Sequence, residues 1–403
     1  MSKHTAFISV DGLSDPLGQS QILPYVIGLA AKGYAITVFS CEKEKRLLTE
    51  KKDIELRLQK AGVQWQFLLY DENGSWLSRW QYTRQLKKMV VKAHTTRAFA
   101  LSHCRSYQAA LVGLYLKRKF GLPYLFDMRG FWANERVDGG IWKLSNPIHL
   151  CLFLYFKYQE KQLLKNAAAI NSLTENARQL LAKKFTTYNL LQKTVVTPCC
   201  TNTALFNPAT TESLPLNDLA NDTPYLVYHG SIGTWYFTAE VIACFEVWKK
   251  HLPNLRLLLL TKDTNAAKVL LANVTALTKA SIVVQEASHK MVAAYLKNAL
   301  AAIFFIKPAY SKIASSPTKM AECWAMGLPI ITNKGIGDND LYFQNNQGGV
   351  LISEFTAQAY EEACLNFLAH TFDKTALRTI AVTSFDHRIA IENYSKVYER
   401  ISS

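Results

Sequence analysis

Residues 315–331, SSPTKMAECWAMGLPII, put a lysine and a carboxylate into one short segment with strong helix punctuation. Ser316 is a good N-cap, Pro317 suits the first helical position, and Gly327 with Pro329 closes the run. The pattern predicts a helix of about three turns. It opens after the strand-like AAIFFIK (301–307) and ends before PIIT (329–332). Lys319 falls in the first turn, where a cation opposes the helix dipole. That placement makes sense with an anion docked on the helix end, met by unpaired N–H groups, Lys319, Ser316 and Thr318. The competing readings are a solvated surface lysine for Lys319 and a plain polar helix residue for Glu322.

Two further loops could approach a phosphate or sugar. The first strand-to-helix turn, VDGLSDPLGQSQILPYV, offers Gly12, Gly18, Gln19 and Ser20; YLVYHGSIGTWYF offers Gly230, Ser231 and Gly233. Neither is GxGxxG, and only Glu42 comes close to the acidic residue that a dinucleotide ribose would need. FDMRGFWANERVD gathers Asp127, Arg129, Asn134 and Glu135 with Phe131 and Trp132 at a strand end. Arg129 suits a phosphate and Glu135 an acceptor hydroxyl, while an ion pair holding the loop is the alternative. His103 reads equally well as a structural histidine. The DND at 338–340 reads as a solvated turn beside Gly335 and Gly337. No Cys/His grouping has zinc spacing.

Positioning these groups requires strands and helices in alternation, and the chain supplies them. In the first half, TAFISV, AITVFSC, VQWQFLLY, AFALSHC (98–104), PYLFDMR and AAAINSLT read as strands. Helical patterns lie between them near 19–32, 43–61, 76–95, 106–120 and 147–165. Periodicity is lost over 198–224 and resumes with YLVYHGS, LRLLLLT, SIVVQEA, AAIFFIK, PIIT and GVLIS. This predicts two doubly wound α/β domains in series, with a cleft between them as the default ligand site.

The 403 residues suffice for two such domains. Lys plus Arg number 46 against 31 acids, a net charge of +15, so an anionic partner is expected. The basic residues are spread along the chain and no nucleic-acid motif accompanies them, which argues against a nucleic-acid partner. Eight cysteines without CxxC spacing fit free buried thiols in a reducing cytoplasm. MSKHTAFISV carries no apolar signal core, and no window has the length to span a bilayer.

Several of these segments together resemble the family-four retaining glycosyltransferases of the GT-B fold, over essentially the whole chain. DPLGQSQILPYVIGLAAKGYAITVFS is similar to their opening glycine loop, helix and second strand. TPCCTNTALFNP and PTKMAECWAMGLPIITN are similar to their interdomain segment and to the C-terminal half of their Glu-x7-Glu motif. FDHRIAIENYSKVYERI resembles the terminal helix that crosses back to the first domain, and FDMRGFWANERVDGG and GSIGTWY are characteristic of members that build bacterial surface polysaccharides. The resemblance implies two facing Rossmann-like domains: an acceptor domain of residues 1–198 plus the terminal helix 385–403, and a nucleotide-sugar donor domain of residues 199–384.

It further implies that Glu322 accepts hydrogen bonds from the nucleotide ribose. The first Glu of the motif falls at Ala314, and the family's basic pair falls near Ser231 and Tyr236, neither of them basic. Stabilising the leaving diphosphate then passes to Lys319 and the helix end, with Arg129 and Lys312 behind them. The implied activity is transfer of a sugar, from UDP foremost, to a glycan or polyprenyl-diphosphate-linked acceptor with retention and without a metal cofactor. A nucleotide-sugar epimerase or hydrolase, or a non-catalytic partner subunit, is the alternative. The expected location is cytoplasmic, peripheral on the inner face of the membrane. NPIHLCLFLYFKYQEKQLLK (146–165) reads first as a buried helix and second as an interfacial one.

Overall fold

A computed structural model of the chain describes residues 4–71, 76–212, 223–233 and 235–402. They form two compact units, Met1–Pro198 with His387–Ser403, and Cys199–Asp386. Residues 213–222 of the aperiodic stretch, and Thr234 of the second glycine loop, lie outside the described residues.

The first unit is built on seven strands: β1 (His4–Ser9), β2 (Ala35–Glu42), β3 (Gln64–Leu69), β4 (Leu101–Arg105), β5 (Tyr124–Met128), β6 (Ala169–Ser172) and β7 (Thr194–Val196). Their order is β3-β2-β1-β4-β5-β6-β7, all parallel, with Phe7 opposite both Val38 and His103. Strands β4 and β5 are buried along their whole length, and they carry Ser102, His103, Arg105 and Asp127 into that interior beside their apolar residues. Strand β7 was not legible because three residues at the edge of an aperiodic stretch carry no period.

The helix expected over 19–32 is two, Pro16–Gln21 and Leu23–Ala31, broken at Ile22. Pro24 explains the break, since it has no N–H to give to the preceding turn and its ring crowds that turn's carbonyl. The terminal helix His387–Ile401 belongs to this unit, where Tyr394 and Tyr398 are buried and Tyr34 donates to the Ser395 carbonyl at 3.1 Å.

The second unit has six strands: β8 (Tyr225–His229), β9 (Arg256–Leu260), β10 (Ile282–Gln285), β11 (Ala301–Ile303), β12 (Ile330–Asn333) and β13 (Gly349–Ile352). They are parallel in the order β10-β9-β8-β11-β12-β13. Strand β11 stops four residues short of the expected run. Beyond it the Asn333 side chain takes over the Ile306 backbone, receiving its N–H at 2.8 Å, and the Phe305 carbonyl accepts from Phe237 N.

The order reverses between β1 and β4 in the first unit and between β8 and β11 in the second. Outside the carboxyl ends of such strand pairs, open α/β sheets bind their ligands.

Candidate functional site

At the switch point of the second unit, β8 ends in His229 and the chain turns through Gly230. From the β11 side, the helix Thr318–Ala325 brings Lys319 and Glu322 to the same place. The helix has eight residues, about two turns rather than three. Its N-cap is Pro317, and Ser316 has another job: its Oγ accepts from the Cys199 N–H at 3.1 Å. The sequence pattern placed both one position early, because the Ser316 hydroxyl is engaged by Cys199 and caps no helix N–H.

Lys319 is buried, not solvated. Its Nζ has no hydrogen-bond partner among the described residues and stands against three aromatic rings: Tyr236 at 3.7 Å, Tyr228 at 4.7 Å and Phe304 at 5.1 Å. Ring faces attract the ammonium, yet they replace only part of its lost hydration. Burial therefore pulls the ammonium pKa down to about 7, against smaller opposing contributions from Cys323 and Glu322. Gly230, at φ 125°, leaves room for it, since a Cβ there would lie 2.9 Å from Nζ.

Glu322 is also buried and is clamped by two imidazoles that sequence reasoning did not single out. His229 Nε2 lies 3.0 Å from Oε2 and His289 Nε2 lies 2.8 Å from Oε1. Burial works against the carboxylate, but the two hydrogen bonds outweigh it and hold the pKa at about 2. His229 is pushed down by its own burial and donates as a neutral ring, whereas His289, half exposed, is raised by its bond to Glu322. The available signal was positional: His229 closes a buried strand, and His289 opens the helix His289–Lys297.

Of the remaining donor-side residues, Gly230, Ser231 and Gly233 follow β8. The Ser231 carbonyl accepts from Tyr228 OH, and the Gly233 carbonyl accepts from Tyr236 N at 3.1 Å. The Lys312 ammonium lies 3.6 Å from the centre of the Trp235 ring. Thr318 begins the helix, and Ala314 is buried at the end of the short turn Tyr310–Ala314. Asp338–Asp340 forms part of a one-turn helix start, and no group of three potential metal ligands occurs among the described residues.

In the first unit the switch point holds a buried ionic network. Asp127 lies 3.5 Å from His103 Nε2, 3.6 Å from Arg105 Nη1 and 3.5 Å from Arg129 Nη1, and accepts from Asn171 Nδ2 at 2.8 Å. Burial opposes its charge, but the surrounding cations, Arg129 first, hold its carboxyl well below the usual range. His103 is fully buried, lowered by that burial, and meets Tyr398 OH at 2.8 Å. Asp127 is 1% exposed, so its reach is through the arginines rather than to a ligand. Arg129 turns towards Gln21 Oε1 at 3.4 Å, and Arg105 towards Asp11 at 3.4 Å. Glu135 sits in the first turn of the helix Trp132–Asp138.

The opening glycine loop is closed by its own carboxylate. Glu42 accepts from Leu13 N at 2.7 Å, Ser14 N at 3.0 Å and Ser14 Oγ at 2.5 Å, which engages the Leu13 and Ser14 donors of the loop. Gly18 is required by packing, since a Cβ would sit 2.0 Å from the Gly12 carbonyl oxygen. Gln19 accepts from Arg57 at 3.2 Å and Ser20 Oγ donates to the Pro16 carbonyl.

Two parallel-sheet units of this order are the GT-B architecture. Residues 19–191 match the Glycosyl transferase 4-like domain. No curated protein matches the chain by sequence. Among solved structures, it is similar to a glycosyltransferase from Rickettsia africae (13% identity, 99% of this chain and 98% of that one, TM-score 0.67). It is also similar to sucrose-phosphate synthase from Thermosynechococcus elongatus (15%, 99% of each, TM-score 0.67). A third is HepE from Anabaena in complex with UDP (13%, 99% and 100%, TM-score 0.67). The match to a glycosyl transferase domain over residues 19–191, on a fold shared with solved glycosyltransferases, supports a transferase enzyme.

Proposed function

We propose that the chain transfers a sugar from a nucleoside-diphosphate sugar, UDP foremost, to a glycan or lipid-linked glycan at a membrane face, with retention and without a metal, in surface-polysaccharide synthesis. The observation that carries this reading is the buried Lys319 ammonium, without a hydrogen-bond partner among the described residues, one helical turn from Glu322. A buried cation in that state is stabilised by an arriving anion. The diphosphate is the anion of matching size, and its charge grows as the sugar leaves, so Lys319 and the helix end lower the barrier, with Lys312 assisting. Glu322, already ionised and oriented, accepts from the ribose hydroxyls. The UDP in the HepE complex supports the choice of base. Arg129 and Glu135 of the first unit serve the acceptor, with Asp127 as the residue that positions Arg129.

Thermal shift with UDP, GDP, ADP and CMP, beside Glu322→Ala, tests this: one diphosphate should raise the melting temperature of the wild type and lose most of its effect in the variant. No shift from any of them, with a folded variant, overturns it. Product analysis without acceptor separates the transferase from an epimerase, which turns over alone.

A further inference from the structure

The helix Pro147–Asn166 is buried on one side only. Phe156, Glu160, Leu163 and Leu164 face the core, with Glu160 tied to Tyr107 OH and Lys157. On the opposite side Ile148 is 67% exposed, Leu154 57% and Tyr158 59%, and the stripe continues into exposed Lys161 and Lys165. The spacing is helical: Cys151, Leu154, Tyr158, Lys161 and Lys165 recur every three or four residues on one face. The preceding loop extends the apolar end with Ile141 and Leu144, 49% and 41% exposed, and with exposed Lys143 between them. The burial expected first for this segment therefore holds for one face, and the other presents an apolar end followed by a basic end.

The charge is one-sided. Between Gly139 and Asn166 the single acid is Glu160, which is buried and paired, whereas Lys143, Lys161 and Lys165 form no ion pair among the described residues. Asn146 caps the helix start, receiving the N–H of Ile148 at 2.9 Å, so the apolar turn is firmly built rather than frayed.

We propose that this face is a docking surface for an anionic lipid bilayer, the helix lying in the interface with Ile148 and Leu154 among the acyl chains and Lys161 and Lys165 at the headgroups. The proposal rests on that part of the preceding reading which puts the acceptor at a membrane. An apolar stripe of this kind gains by leaving water, and each lysine gains against an anionic surface. A second copy of the chain would bring three more lysines and no carboxylate to the contact, so self-association gains no charge pairing. No described helix is long and apolar enough to cross a membrane, which leaves the helix parallel to the surface.

Flotation with vesicles of phosphatidylcholine alone, or with about 30% phosphatidylglycerol, tests the surface. The wild type should float with the anionic vesicles, far less with the neutral ones, and less in high salt. Ile148→Glu with Leu154→Glu should abolish flotation, and Lys161→Ser with Lys165→Ser should weaken it roughly fivefold per lysine. Melting temperature and stabilisation by UDP should stay at wild-type values in both variants, so failure here is distinct from failure of the donor reading. Absent flotation of the wild type, or flotation undiminished by the glutamates, overturns the proposal. So does a wild-type dimer that the glutamates convert to monomer without any vesicle binding.

Discussion

The ammonium of Lys319 stands 3.7 Å from the centre of the Tyr236 ring, with no hydrogen-bond partner among the described residues. The ring follows β8, and the ammonium reaches it from the helix Thr318–Ala325. A charge held this way is costly in the empty enzyme and valuable once an anion arrives.

Lys319→Met should separate those two effects. Exchanging a buried ion for an apolar side chain of similar length is often neutral or stabilising by about 1–4 kcal/mol. Loss of a charged hydrogen bond to ligand weakens binding by about 1.5–3 kcal/mol, roughly 10-fold to 150-fold. The variant should melt at or above the wild-type temperature and bind UDP correspondingly more weakly in calorimetry.

Binding should also depend on pH. The lysine pKa is about 7 in the folded chain against 10.5 ordinarily, so above pH 7 an arriving diphosphate must recruit a proton to Lys319. Affinity for UDP is predicted to weaken as pH rises above about 7, with proton uptake measurable as a buffer-dependent enthalpy. In Lys319→Met that uptake should vanish.

The two imidazoles on Glu322 should be unequal. His229→Phe removes a buried donor and should destabilise by about 1–3 kcal/mol, whereas His289→Ala, at a half-exposed position, should cost less. The carboxyl of Glu322 is held at about 2 against an ordinary 4.5, so its stabilisation is complete above pH 4.5 and lost as pH falls towards 2. Raising that pKa by His229→Phe should move acid unfolding to higher pH. His289 works with the opposite sign, its contribution being complete below its ordinary 6.5 and fading as pH rises through its raised value. Denaturant midpoints across pH 2 to 8 read both.

Gly18→Ala should destabilise the first unit, since the added methyl would meet the Gly12 carbonyl at 2.0 Å. Overpacking of this kind costs about 1–3 kcal/mol. Gln19→Ala, at a partly exposed position, is the control, and urea midpoints for the pair should differ accordingly.

Alternation of β-rich runs with helical periods determined the two α/β units from sequence alone, because parallel strands covered on both faces are rich in apolar residues. Local chemistry likewise marked the Ser-Pro-Thr-Lys helix, Glu322 and the first glycine turn. What the sequence by itself left open was each group's partner. Glu322 meets His229 from β8 and His289 from beyond β10, 93 and 33 residues away in the chain. Glu42 closes on Ser14 across 28 residues. Strand order decides such meetings, and no local period encodes it. Burial follows the same logic: the ring cage that turns Lys319 from a solvated lysine into a buried ammonium exists only once β8 and β11 lie side by side.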